Sequence, residues 1–295
     1  MWRVVLIFLA ACAMGAHAAP VVVVDDRGHA LELPSPPQRV VTLLPALTEI
    51  VCSLRACGRL VGTDRFSNWP ASVGTLPKLG GLEDTQIERL VALKPDLVLM
   101  AASGRALGRL EALGLPVMAL EPKSLADTGR VIDTLARALG EPAAGAALWS
   151  GLQARIAAAA ARVPPGLRGQ KVYFEVASTP YAAGEASFVG ELLARLGLGN
   201  VVPAAMGPFP QLNPEFVVRA QPDLVMASQR ALADMPGRPG WRALSALQVG
   251  RLCAFAAPAW DALVRPGPRL AEGAEHIADC LARLPMLTAQ APGAR

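Results

Sequence analysis

Short apolar runs bounded by turn residues alternate along this chain with stretches of helical spacing, and one such unit occurs twice. Gln86-Ile87-Glu88-Arg89-Leu90-Val91-Ala92-Leu93-Lys94-Pro95-Asp96-Leu97-Val98-Leu99-Met100 returns as Asn213-Pro214-Glu215-Phe216-Val217-Val218-Arg219-Ala220-Gln221-Pro222-Asp223-Leu224-Val225-Met226-Ala227. Each copy predicts a short helix, a Pro-Asp turn and a buried strand. Proline cannot continue a helix and drives the residue before it out of the α region. The unbroken apolar run after the aspartate suits a parallel strand covered on both faces. Each copy also carries one glutamate at its helix start, Glu88 and Glu215. Two matching units predict two matching lobes.

The remaining pattern fills out those lobes. Val21 to Leu33 reads as a β-hairpin turning at Asp26-Arg27-Gly28. Strands follow at Arg39–Leu44, Leu60–Thr63 and Gly114–Leu120, with helices at Leu47–Ala56 and Arg105–Leu113. Strands alternating with helices indicate a parallel α/β sheet, here over residues 19–123. Residues 124–163 are Ala-rich, with Val131, Leu135, Leu139, Leu148, Leu152 and Ile156 at helical spacing. This stretch predicts a connecting backbone helix that Glu141-Pro142 kinks or splits. A second α/β lobe spans 164–285, with strands at Lys171–Val176, Asn200–Val202 and Gly250–Ala256. Its helices fall at Phe188–Leu196, Trp241–Leu247 and Gly267–Leu284, and its loops at Ala177–Ser187, Phe209-Pro210 and from Pro258. Residues 286–295 read as a frayed tail.

Composition narrows the class. The chain has 295 residues, 53% hydrophobic and 18% charged, which fits a folded globular protein of two lobes. The formal charge of +4 is scattered, with no basic run interleaved with aromatics, so nucleic acid is not an expected partner. Residues 1–18 carry a positive start, an apolar stretch and Ala16-His17-Ala18, the pattern of a cleaved export signal. Leu9-Ala10-Ala11-Cys12 offers the alternative of a lipid anchor at Cys12. Export into an oxidising compartment changes the reading of Cys52, Cys57, Cys253 and Cys280, which permit two disulfides. Pairing Cys52 with Cys57 and Cys253 with Cys280 keeps each bond within a lobe, while the other pairings, or simple burial as small hydrophobes, stay open.

Motifs for chemistry are absent. The chain has no G-x-G-x-x-G, G-x-x-x-x-G-K-[ST] or G-x-S-x-G sequence, and no His, Cys or carboxylate group at metal-ligand spacing. Gly80-Gly81 reads as a turn only. Aromatics instead gather in the regions that follow strands: Phe66, Trp69, Tyr181, Phe209 and Trp260. Ligands of open α/β sheets bind beyond the carboxyl ends of the strands. Aromatic faces from two lobes suit a large, partly apolar ligand.

Several of these stretches, in order, resemble the periplasmic cobalamin-binding proteins of bacterial importers. They are Arg39-Val40-Val41-Thr42-Leu43-Leu44-Pro45-Ala46-Leu47-Thr48-Glu49, Phe66-Ser67-Asn68-Trp69-Pro70, Glu88 to Val98, and Trp260 with Arg265 and Pro268-Arg269. The resemblance covers about Arg39 to Leu284, and its Lys-Pro-Asp-Leu-Val stretch is shared with the wider family that binds haem and siderophores. It implies two α/β lobes joined by a single long backbone helix. It implies a corrinoid as carried ligand, with no resident cofactor, and a cleft lined by Phe66, Trp69, Tyr181, Phe209, Trp260 and Arg265. It places Glu88 and Glu215 where arginines of an ABC importer's permease dimer, driven by its ATPase, would meet them. A capping role for Glu88 in Thr85-Gln86-Ile87-Glu88 is compatible with docking. The sequence departs from the family at Leu82, where a ligand-contacting Trp is usual, and near Leu196, where a cysteine partner for Cys280 is missing. The implied protein is a periplasmic monomer that performs no chemistry. A haem or ferric-siderophore carrier of the same fold, with Tyr181 as haem ligand, and an α/β enzyme acting on a corrinoid are the alternatives.

Overall fold

The alternating units fold as two parallel sheets, in a computed structural model that describes residues 20–178 and 180–284. The export signal at 1–18, with Cys12, and the tail at 286–295 lie outside the described residues. A hairpin of β1 (Val21–Val24) and β2 (Ala30–Leu33) leads in. In its turn, Asp25 accepts from the amides of Arg27 and His29 and from that of Ala119, which ties the hairpin to the first sheet. That sheet contains β3 (Val40–Thr42), β4 (Leu60–Thr63), β5 (Leu97–Met100) and β6 (Val117–Ala119). Helices α1 (Pro45–Ser53), α2 (Ile87–Ala92) and α3 (Leu107–Ala112) connect the strands. Every residue of β3, β5 and β6 is buried, as a parallel strand covered on both faces requires.

The predicted spine is two helices. α4 (Leu125–Ala138) begins in a full capping box, Ser124 and Asp127 each accepting the other's amide proton. Gly140 ends it at φ 75°, and Pro142 opens α5 (Pro142–Ala161) in the first turn, where its missing N–H costs nothing. Residues 124–163 therefore form an antiparallel hairpin rather than one helix. α5 runs between the lobes: Ala144 and Leu148 pack on the first core, while Leu152, Ile156 and Ala159 belong to the second, which Leu125 at the start of α4 also joins. Its 20 residues span about 30 Å at 1.5 Å per residue.

The second lobe contains β7 (Lys171–Ala177), β8 (Tyr181–Ala182), α6 (Phe188–Arg195), β9 (Gly199–Asn200), α7 (Pro214–Ala220), β10 (Leu224–Ser228), α8 (Gln229–Asp234), α9 (Ser245–Gln248), β11 (Leu252–Phe255), α10 (Ala257–Val264) and α11 (Leu270–Arg283). Its parallel strands run β9-β7-β10-β11, and those of the first sheet β4-β3-β5-β6, the same order counted along the chain. β8 adds an antiparallel edge in what reads as a loop by sequence. α8 carries no sequence signal of its own, and Trp260 lies on helix α10 rather than in a loop.

The repeat acts identically in both sheets. The amide of Asp96 donates to the Arg39 carbonyl at 2.9 Å, and its carboxylate accepts from the amides of Gln38 and Arg39. Asp223 does the same to Lys171, its amide bonding the carbonyl at 2.9 Å and its carboxylate the amide at 2.8 Å. The residue before each proline takes a left-handed backbone, Lys94 at φ 47° and Gln221 at φ 41°, which ends the helix. Of the pairings left open by sequence, the structure has Cys52–Cys57 and Cys253–Cys280, one in each lobe. Among the described residues, no helix is long and apolar enough to cross a membrane.

The α4–α5 hairpin depends on Gly145, where an added Cβ would lie 2.4 Å from that of Ala136. Gly145→Val is expected to lower the unfolding free energy by about 2–3 kcal/mol through overpacking, read by urea denaturation with the disulfides intact.

Candidate functional site

Among the cavities at the carboxyl ends of the two sheets, two contain residues predicted from the sequence, and they differ in character. The first, of about 330 Å³, follows β3 and β4 and is lined by Leu43, Leu44, Pro45, Phe66 and Leu82, with Asp64, Arg65 and Gly81–Asp84 around them. Phe66 stands 60% exposed at its rim. The ring is held by a polar network beneath it. Buried Asp64 accepts from the amides of Phe66 at 2.7 Å and Ser67 at 3.1 Å, and from the Ser67 hydroxyl. Ser67 joins Thr48 at 2.7 Å, and Thr48 joins Thr42 at 2.6 Å. Lys78 donates to Thr63, to the Ser67 carbonyl and to the Val73 carbonyl. Burial pushes the Asp64 carboxyl up and the Lys78 ammonium down, so each relies on these partners to stay charged. Gly80-Gly81, read as a bare turn, has a specific task here. Gly80 sits at φ 91° with no room for a Cβ beside the Asp84 carbonyl, and a Cβ on Gly81 would lie 3.2 Å from the Phe66 ring.

The second cavity, of about 350 Å³, follows β7 and β10, on either side of the point where that sheet changes direction. It is polar: Glu175, Ser178, Ser228, Arg230 and Asp234 share its wall with Trp260. Glu175 is fully buried and fixed by Arg238 through paired bonds of 2.5 and 2.7 Å, and by the Tyr173 hydroxyl at 2.7 Å. Burial, with the Glu175 charge beside it, pushes the Tyr173 phenol above its ordinary range, which keeps it a donor. Arg238 lies over the Trp241 ring at 4.4 Å, and Trp260 stacks on Phe174 at 5.5 Å.

The structure thus brings Phe66 and Leu82 to one cavity and Trp260 to the other. The other predicted residues lie elsewhere. Trp69 is half-buried beneath the Arg269 guanidinium, 5.4 Å from its ring. Phe209 packs against Phe188 on the second core, and the Tyr181 hydroxyl donates to Gln211 at 3.4 Å. Glu88 is exposed in the first turn of α2, 3.5 Å from Arg109. The capping box read at Thr85 does not form: the Thr85 hydroxyl donates to the Gly81 carbonyl instead. Glu215 is exposed in the first turn of α7, where Asn213 is the cap.

Between the cavities the lobes meet in an ion cluster. Arg265, at the end of α10, donates to Glu49 of α1 at 2.9 Å, to Asn68 at 2.8 Å and to the Phe66 carbonyl at 3.2 Å. It also pairs with Asp261 at 2.9 Å, and Asp261 accepts from Asn68. Arg269 approaches Glu49 at 3.7 Å. Glu49 is fully buried, and its Oε2 atom has no hydrogen-bond partner among the described residues. Neither Glu49 nor Glu175 stood out by sequence, since each gains meaning only from an arginine far along the chain. Among the described residues no group of three His, Cys, Asp or Glu side chains is placed to hold a metal ion. What the site offers is contact area on one side and hydrogen bonds on the other.

Burial, opposed by Arg265 and Arg269, raises the Glu49 carboxyl from 4.5 to about 7. The folded state therefore holds this proton over a range in which the unfolded chain has lost it. The Glu49 contribution to stability is expected to be fully present below pH 4.5 and to fall as pH rises to about 7. The loss is on the order of 3 kcal/mol. Urea unfolding at pH 5 and pH 7.5 should show that drop in the native protein and a smaller one in Glu49→Gln.

Residues 40–258 match the model of the periplasmic binding protein family. A vitamin B12-binding protein of Vibrio cholerae is 26% identical over 259 residues, which cover 84% of this chain and 90% of that protein. The crystal structure of a periplasmic vitamin B12 binding protein of Vibrio cholerae superposes with a TM-score of 0.69 at 25% identity, covering 83% of this chain and 97% of that one. A periplasmic heme-binding protein from Roseiflexus sp. RS-1 superposes with a TM-score of 0.71 at 26% identity, covering 83% and 98%. All three have names of proteins that bind a compound rather than transform it. With the matched region spanning both sheets, the chain belongs to the periplasmic binding protein family, the extracytoplasmic substrate-binding proteins of ABC transporters.

Proposed function

We propose that this protein captures a corrinoid and hands it to an ABC importer. What supports this reading above all is the unlike character of the two cavities. A corrin presents broad apolar faces and a periphery of neutral amides. The first cavity supplies Phe66, Leu82, Leu43 and Pro45 for a face. The second supplies acceptors in Glu175 and Asp234, a donor in Arg230, and the hydroxyls of Ser178 and Ser228. An amide edge needs both donors and acceptors. The carboxylates of haem would meet Glu175 and Asp234 with like charge. Haem would also need an axial ligand, and no Tyr, His, Cys or Met lines either cavity. Tyr181, the axial ligand a haem carrier would use, faces Gln211.

Capture is half of the task. Glu88 and Glu215 occupy equivalent helix starts in the two lobes, both exposed. Exposed carboxylates accept paired bonds from arginine well, and we assign them to docking on the permease dimer. On this reading the protein acts as a periplasmic monomer, exported by its N-terminal signal, with no cofactor of its own.

Calorimetry with cyanocobalamin and cobinamide is expected to give heat, and hemin none. Hemin binding with a Soret band that disappears in Tyr181→Ala would overturn the corrinoid reading in favour of haem. Reversing both charges, in Glu88→Arg with Glu215→Arg, is expected to reduce importer-dependent uptake to background while corrinoid affinity is unchanged. Uptake at the native rate would make the two glutamates surface residues only.

A further inference from the structure

We propose that Glu49 and Arg265 form a latch between the lobes that sets the gap between the two cavities and positions the Phe66 wall. As a statement about ligand capture it rests on the reading that these cavities hold the ligand. Arg265 belongs to the second lobe and follows α10, the helix whose Trp260 lines the polar cavity. Its guanidinium crosses to the first lobe and bonds three groups there at once. Glu49 fixes it to α1, while the Phe66 carbonyl and Asn68 fix it to the loop that forms the apolar wall. One side chain thus connects the rim of one cavity to a wall of the other. The resemblance implies Arg265 at the ligand; here its two Nη groups bond protein groups, and the proposal gives it a positioning role.

Three features make this contact a latch rather than a surface ion pair. The first is dryness: the Arg265 side chain is 11% exposed and that of Glu49 0%, so water and salt screen the pair little. The second is geometry. A planar guanidinium can bond a carboxylate, an amide oxygen and a backbone carbonyl together, which a lysine ammonium on a flexible stem cannot reproduce. The third is the backbone behind it. Gly267 lies directly on α1, where an added Cβ would be 3.5 Å from the Ala46 carbonyl and 3.7 Å from Glu49 Oε2. The lobes therefore touch at this point without an intervening side chain, and the ion pair closes the contact. Arg269 at the N-cap of α11, Glu272 on α11 and Asp261 on α10 complete the ring of charge around it. Removing one partner of such a pair leaves the other buried and uncompensated.

Hydrogen exchange read by mass spectrometry on the ligand-free protein tests this. At pH 8, where the native Glu49 carboxyl is ionised, Glu49→Gln and Arg265→Lys are each expected to speed exchange at Phe66 and Ser67, and over residues 258–264, by on the order of a hundredfold. The double variant should add little to either single one, since both break the same link. Amides of β5 and β10 should keep their protection. Unchanged exchange at Phe66 and Ser67 in both variants overturns the latch, as does uniform loosening of every strand, which marks a merely structural pair. If Glu49→Gln does not fold, Arg265→Lys decides alone, because it keeps the charge. With cyanocobalamin, both variants should dissociate faster than the native protein. The exchange measurement stands without ligand, so a native protein that binds no corrinoid would overturn the corrinoid reading and leave the latch supported.

Discussion

The Pro-Asp corner, used once in each lobe, is the constraint from which the rest of the structure follows. Proline ends a helix, and the aspartate after it grips the residue that opens the neighbouring strand, Arg39 in one lobe and Lys171 in the other. Amide and carboxylate act together, so the two strands start in fixed register. Those strands are β3 with β5 and β7 with β10, the central pairs of the two sheets. Sheets of this order reverse direction at that pair, and reversal leaves a crevice beyond the carboxyl ends. In the second lobe the polar cavity opens at that pair, while in the first lobe the apolar cavity lies beside it, after β3 and β4. The same corner fixes the helix before it, and with it the orientation of Glu88 and Glu215.

Equal frames carry unequal sites, and the energetics of the two cavities differ accordingly. On the proposed reading the apolar cavity would hold a ligand through area removed from water, roughly 25 cal/mol per Å², and such contact is tolerant of exact shape. On the same reading the polar cavity would orient the ligand through fixed hydrogen-bonding groups. Glu175 is prepared for this. Arg238 and Tyr173 already hold its carboxylate in place, so its desolvation belongs to folding and little reorganisation is left for the binding event. The Phe66 loop is prepared likewise by Asp64, Thr48 and Lys78.

Much of this frame was legible in the chain, and the parts that were not share a physical reason. The repeat, the parallel strands and the two-lobe plan follow from apolar runs and proline positions, which act locally. The helix break at Glu141-Pro142 was visible as a choice between kink and split. The split prevails because Gly140 turns the chain and Gly145 lets α5 lie against α4. Thr85 was misleading, since its hydroxyl had a carbonyl four residues back to bond in place of the helix amide. The aromatic pattern found Phe66 and Trp260 but also residues that pack cores or face the other lobe. Glu49 closes one of the stretches that carry the resemblance, but nothing in the sequence named its partner. A carboxylate on the apolar face of a helix looks like an error until Arg265, 216 positions away, arrives beside it. Long-range charge pairs leave no period in a sequence.

What is duplicated and what is not therefore divide the labour. The duplicated residues are local and symmetric: Pro95 with Asp96, Pro222 with Asp223, Glu88 with Glu215. They suit a frame and, on the proposed reading, a pair of feet. The residues that would confer selectivity on that reading are each present in one lobe only: Phe66, Leu82, Glu175, Trp260. A link between the lobes must join unlike partners for the same reason, and Glu49 with Arg265 is such a link. It has no counterpart across the repeat, because its task is to relate one half to the other. Since Arg265 bonds the carbonyl of Phe66 itself, a change in the gap between the lobes cannot leave the apolar wall where it was. On the latch proposal, opening the cleft and loosening its aromatic rim would be one motion, which suits a carrier that must first hold its ligand and later surrender it.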